Sequence, residues 1–163
     1  MKNTLAILFF LCINFFSFSQ SKFSLHFSGG SLAIKKDFGV NFDFGVGYKI
    51  SNKIQLNAET LISELNKNEY ELKYNLEKYS INVNYNFLPE NNFSISSICG
   101  FSYINFDKKL ILDKNDGIGV DLGINFGFNQ NKNFCYGFKL VSTYNSIANG
   151  GILQSNLFFR YNL

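Results

Sequence analysis

Proline is nearly missing from this chain: Pro89 is the only one in 163 residues. Tryptophan is absent, histidine occurs once, as His26, and cysteine three times. Charged residues make up only 17% of the chain. Each shortage excludes something. Three cysteines are too sparse for a disulfide scaffold. A formal charge of +3, with Lys and Arg scattered, gives no basic stripe, so no nucleic-acid partner is expected. After the first 20 residues no run of about 18 apolar residues occurs, so no transmembrane helix is expected there. One histidine and two distant cysteines are a poor metal-ligand set. No nucleophile elbow or phosphate-cradling loop is present, so no cofactor, metal or catalytic residue is assigned. Abundance lies elsewhere, in 20 phenylalanines, nine tyrosines and a hydrophobic share of 46%. That composition excludes intrinsic disorder, and the length suggests one domain.

Residues 1–19 read as an export signal. Lys2 supplies the positive start, and Leu5–Phe16 is apolar apart from Asn14. Ser17-Phe18-Ser19 then places small residues at the two positions a signal peptidase reads. Cleavage after Ser19 leaves a mature domain of residues 20–163. The apolar run is too short for a membrane anchor. Cys12 lies inside that run after Leu11, unlike a lipoprotein cysteine.

The remainder alternates with a period of two. From Phe38 the even positions read Phe38, Val40, Phe42, Phe44, Val46, Tyr48 and Ile50, against Gly39, Asn41, Asp43, Gly45, Gly47 and Lys49. From Ile118 the even set is Ile118, Val120, Leu122, Ile124, Phe126 and Phe128, against Gly119, Asp121, Gly123, Asn125 and Gly127. Tyr79–Phe87, Phe134–Leu140 and Leu157–Leu163 repeat the pattern, and Ile54–Ile62 follows it more weakly. Successive strand side chains point to opposite faces, so each segment has one greasy and one polar face. Phe93–Phe106 is less regular, with Ile98 and Ile104 out of phase. Lys22–Ile34 changes parity at Gly29-Gly30, which predicts a bulge. The segments number eight. Compact turns alternate with longer connections, of which Asn66–Lys73 and Asp107–Asn115 are rich in charge. Within the second, Leu110, Ile111 and Leu112 read as the tip of a hairpin extending strands five and six, with an exposed binding patch as the alternative. About 18 residues per strand and connection suffice for a membrane crossing of about 9–11 residues.

The greasy face should point outward. An eight-stranded barrel is just wide enough for ordinary side chains, and the many rings of that face would not fit inside. The opposite face is Gly, Ser and Asn with few charges, whereas a soluble surface carries about a quarter to a third charged residues. Tyr48, Tyr85, Tyr136 and Tyr161 fall toward one end of their strands, and Tyr79, Tyr103 and Tyr144 toward the other. Two such girdles suit the two bilayer interfaces. The expected fold is an all-β, eight-stranded, antiparallel up-and-down transmembrane β-barrel. Closure pairs the last strand with the first and leaves no backbone group unpaired in lipid.

A signal segment, eight alternating strands and an aromatic terminal strand together resemble the small eight-stranded outer-membrane barrels: the OmpA membrane domain, OmpX and the opacity-type surface proteins. The likeness is architectural and spans Gln20–Leu163. It implies a monomer in the outer membrane of a Gram-negative cell, in contact with outer-membrane lipid, with both termini periplasmic. It also implies recognition of the C-terminal strand by the barrel-assembly machinery. In such strands a polar residue, a glycine and terminal hydrophobic residues recur. Asn156, Tyr161 and Leu163 match, Phe158 stands where glycine is common, and Leu closes the chain where Phe is usual.

Five lumen-facing charges form the expected internal network: Asp43, Glu59, Asp121, Lys139 and Arg160. Asp121 should pair with Lys139 across a hairpin. Asp43 and Glu59 are near-opposite and of like sign, so Arg160 is the expected bridge. Buried ions must pair or stay wet. A paired network plugs the bore and fits a structural or surface-contact role without enzymatic activity. A wet one makes a narrow ion or small-solute channel. His26, inward with Ser24 and Ser28 on its face, leaves a lipid-modifying enzyme as the other alternative. Cys99 should face lipid and Cys135 the lumen, two strands apart, so both are expected to be free thiols.

Overall fold

The computed structural model describes residues 22–67, 72–88, 92–107, 115–129, 132–147 and 151–163. The export signal predicted for residues 1–19 and the loop tip at 108–114 lie outside them. Eight strands account for nearly all of the described chain: β1 (Phe23–Ile34), β2 (Asp37–Lys49), β3 (Ile54–Lys67), β4 (Leu72–Asn86), β5 (Phe93–Phe106), β6 (Asp116–Phe128), β7 (Phe134–Asn145) and β8 (Ile152–Asn162). Each pairs antiparallel with its sequence neighbour, and β8 returns to β1, so the sheet closes without an edge.

Alternation decides which side each residue takes. On β2, Phe38, Val40, Phe42, Phe44 and Val46 are exposed, while Asn41, Asp43, Gly45 and Gly47 are buried. On β6, Ile118, Val120, Leu122 and Ile124 are exposed opposite buried Gly119, Asp121 and Asn125. The outer wall is therefore a belt of Phe, Ile, Leu and Val, a surface suited to hydrocarbon rather than water. Phe27 and Phe42, Phe93 and Phe128, and Phe134 and Phe159 meet across neighbouring strands with ring centroids 6.4, 5.3 and 5.9 Å apart. Such pairs stabilise an antiparallel ladder.

Three sequence expectations change. First, β1 has no bulge. It pairs residue for residue from Phe23↔Tyr48 to Ile34↔Asp37 on one side and from Ser24↔Asn162 to Ala33↔Leu153 on the other. The parity of β1 is constant; what changes is the lumen it faces. Leu32 and Ile34 point inward and are buried in an apolar cluster with Leu61, Leu65, Tyr74, Leu76, Ile104, Phe106, Ile147 and Ile152. Ile104 is thus in phase with its strand, facing an apolar part of the bore, and Ile98 is inward and buried as well. Second, β3 and β4 run on to Lys67 and Leu72, so most of the expected loop 66–73 is strand. Third, Tyr79 consequently stands at the middle of β4 rather than near its end, while all seven girdle tyrosines remain exposed on the outer wall.

Candidate functional site: the lumen

The bore has three zones along its axis. At the end bearing Lys22 and Leu163, the terminal end, it is lined by short polar side chains, among them Ser24, Asn57, Asn84 and Ser96. Charged groups cross the middle. The apolar cluster closes the far half.

The middle zone is built around two lysines. Lys139, on β7, reaches across the bore. Its ammonium donates to Asp43 Oδ2 on β2 and, at 3.2 Å, to Glu59 Oε2 on β3. Asp43 Oδ2 also accepts from Ser28 Oγ at 3.2 Å and Gln154 Nε2 at 3.3 Å. Glu59 Oε2 accepts from Asn82 Nδ2 at 3.3 Å, and Glu59 Oε1 lies 3.1 Å from His26 Nε2. Lys78, on β4, forms the second centre. Its ammonium donates to Asp121 Oδ1 at 3.0 Å and Thr143 Oγ1 at 2.8 Å. Ser102 Oγ and Thr143 Oγ1 donate to the same carboxylate at 3.2 and 2.6 Å. Lys78, Asp121, Lys139 and Asp43 are all at most 4% exposed. A buried ion is tolerated when it is paired, and each of these has an opposite charge within reach. The bonds gather on one oxygen of each carboxylate, and Asp43 Oδ1 and Asp121 Oδ2 are buried without a hydrogen-bond partner.

All five predicted residues face the lumen, but the pairing differs from the expected one. Asp121 pairs with Lys78, not Lys139. Lys139 bridges Asp43 and Glu59, the place assigned to Arg160. The reason is reach: an extended lysine spans a narrow bore, so the hairpin neighbour is not its only option. Arg160 sits nearer the termini, donating from Nη1 to Gln55 Oε1 at 3.0 Å, with its guanidinium 5.9 Å from the Phe158 ring centroid. Phe158, at the usual glycine position, supplies that platform from inside the barrel. Lys78 is a sixth lumen charge, outside the expected five, and it shares the parity of Ser80, Asn82 and Asn84.

His26, Asp43 and Glu59 bring potential ligand atoms within 4.8 Å of one another. The Lys139 ammonium already lies on both carboxylates, so a positive charge is supplied there by the chain itself. Ser28 is committed to Asp43 and accepts from Asn156 Nδ2 at 2.9 Å, and Ser24 accepts from Gln55 Nε2 at 3.1 Å. The partner of His26 is a carboxylate, inside the bore and away from the lipid-facing wall. Cys99 is exposed on that wall and Cys135 is buried, and both thiols are free.

Arg160→Ala should therefore be mild. It removes a charge-assisted bond to a neutral amide and strands neither Asp43 nor Glu59. The expected loss is about 1–2 kcal/mol in urea unfolding from lipid vesicles. A loss as large as that of Lys139→Ala would mean that Arg160 holds one of the mid-bore acids.

A closed eight-stranded antiparallel sheet with an apolar outer wall and a filled bore defines the small transmembrane-type β-barrel. Solved structures agree on the fold. The chain is similar to a major outer membrane protein from Thermus thermophilus (12% identity, TM-score 0.65, 89% of this chain and 100% of that one). It is also similar to Neisserial surface protein A, NspA (12%, 0.62, 89% and 98%). A third is the outer membrane enzyme PagL (12%, 0.56, 86% and 99%). No protein-family model and no curated protein sequence matches the chain. The fold it shares is thus one that supports different roles in different proteins.

Proposed function

We propose that this chain is an integral outer-membrane β-barrel protein with a non-enzymatic structural or surface-contact role and a lumen sealed to ions and solutes. One observation carries the reading. Ten apolar side chains, each at most 6% exposed, fill the far half of the bore behind the paired charges. A hydrated ion crossing there would shed its water against Leu, Ile and Phe, a cost of several kcal/mol. A polar lumen of wet charges would favour a channel, but the polar zone here ends against this apolar layer. Against a lipid-modifying enzyme stands the position of His26, engaged with Glu59 inside the bore, with neither Ser24 nor Ser28 as its partner.

The location follows from the outer wall. In the proposed setting both termini are periplasmic, outer-membrane lipid is the surrounding partner and the chain works as a monomer. The barrel-assembly machinery reads its C-terminal strand through Tyr161 and Leu163. The test has two arms. Folded protein should require detergent or lipid and run at a different mobility on a denaturing gel before and after boiling; folded monomer in detergent-free buffer would contradict the membrane reading. Liposomes carrying it should show no sugar-driven swelling, and His26→Ala should change no lipid-hydrolase or acyl-transfer signal. Activity in purified protein that is lost in His26→Ala would overturn the non-enzymatic reading.

A further inference from the structure

At the end bearing the termini the bore opens into a vestibule of about 340 Å³. Its rim and walls carry Lys22, Lys49, Lys53 and Lys132, with Arg160 deeper, and among the described residues no Asp or Glu lines it. Glu90, the one acid in the connections at this end, lies outside the described residues. Five cations around one concavity are unlike the rest of the bore, where each ammonium meets a carboxylate. The floor is formed. Gln55 accepts from Arg160 Nη1 at 3.0 Å and donates to Ser24 Oγ at 3.1 Å and Asn57 Oδ1 at 2.7 Å, so the guanidinium is held in place from below. Immediately beneath lies a separate small cavity of about 20 Å³ lined by His26, Glu59 and Lys139 among others, with room for little more than a water. The first acid met on the way in, Glu59, is already engaged by Lys139 and His26.

We infer that this vestibule is a binding site for a compact, soluble, multiply charged anion bearing phosphate or carboxylate groups, which enters from the terminal end and does not pass through. A concavity lined by one sign of charge focuses its field and concentrates counter-ions. Its volume matches the lower range of small-ligand sites. Guanidinium and ammonium groups together with the side-chain amide of Asn84 form the donor set that phosphate and carboxylate oxygens accept from. The same chemistry sits on phospholipid headgroups. The lining groups Ser24, Gln55, Asn84 and Arg160 face the bore, and this favours the soluble source. The inference is separable from the sealed-lumen reading, because conductance tests the seal and titration tests the vestibule.

The experiment titrates inorganic tripolyphosphate into the folded barrel by calorimetry, in zwitterionic detergent and in nanodiscs of zwitterionic and of anionic lipid. Saturable one-to-one binding is expected in all three, weakening as salt is raised. Lys49→Gln/Lys53→Gln should weaken it about tenfold, and Arg160→Lys should weaken it measurably, with barrel folding checked by heat-dependent gel mobility. Lys35→Gln/Lys36→Gln removes the same charge at the opposite end and should leave affinity unchanged. No saturable binding by wild type, or equal weakening by both lysine pairs, would overturn the site. Loss of binding in anionic nanodiscs alone would assign the anion to lipid headgroups and overturn the soluble ligand.

Discussion

Lys139→Ala should cost about 3–5 kcal/mol of unfolding free energy in lipid vesicles, the range for breaking a buried ion pair from one side. The wild-type ammonium lies between Asp43 and Glu59, and no other lysine touches either acid among the described residues. Without it the two carboxylates remain in the bore with Ser28, Gln154, Asn82 and His26 as their described partners. His26 Nε2 stays 3.1 Å from Glu59 Oε1, which limits the damage at that acid. Asp43 would be left with neutral donors only. Lys139→Met combined with Asp43→Asn and Glu59→Gln should recover much of the loss, since replacing all partners removes the uncompensated charge. If the bore were open to water, the stranded acids would be solvated, and the single substitution would cost well under about 1 kcal/mol.

Leu65→Ala and Leu76→Ala should each cost about 2–5 kcal/mol, the range for buried Leu truncations. Both side chains are 0% exposed. Leu65 pairs in register with Tyr74, and Leu76 with Phe106. Tyr74 and Phe106 in turn face each other with ring centroids 6.1 Å apart. The layer is thus packed as a protein core is, and a cavity there loses contacts that water does not restore. The two residues share one cluster, so the double variant should depart from the sum of the singles. Urea unfolding of the three variants beside wild type checks this. Losses near zero would mean that the far half of the bore is loosely filled.

Much of this barrel was legible from period alone. The outward sets of β2, β4, β6 and β7 follow from simple alternation, and the closing pairing of β8 with β1 follows from the need to pair every backbone group in lipid. For β1 and β5 the departure has one cause: the expectation takes the inward face to be polar throughout. On that assumption Leu32 and Ile34 require a bulge at Gly29-Gly30, and Ile104 falls out of phase. Had inward positions been allowed to be apolar, Leu61, Leu65, Leu76 and Ile152 would have lined up with them at constant parity. The charged residues were found on the correct face for the same reason of parity, and Lys78 could have been. Their partners could not be read, because alternation fixes the direction a side chain leaves the wall, not which of several acids across a narrow bore a flexible lysine meets. The basic vestibule was hidden because Lys22, Lys49, Lys53 and Lys132 come from three separate stretches of sequence, and only closure of the sheet gathers them at one mouth.

Single-channel recording across a planar bilayer, with wild type and Lys139→Ala inserted at equal density, addresses the sealed lumen most directly. Wild type should be silent at all holding potentials. Lys139→Ala should be less stable yet remain without steady conductance, because the apolar layer of Leu65, Leu76, Ile104 and Ile152 still closes the far half. A steady, ohmic conductance from wild-type barrels that scales with their number would contradict the sealed lumen.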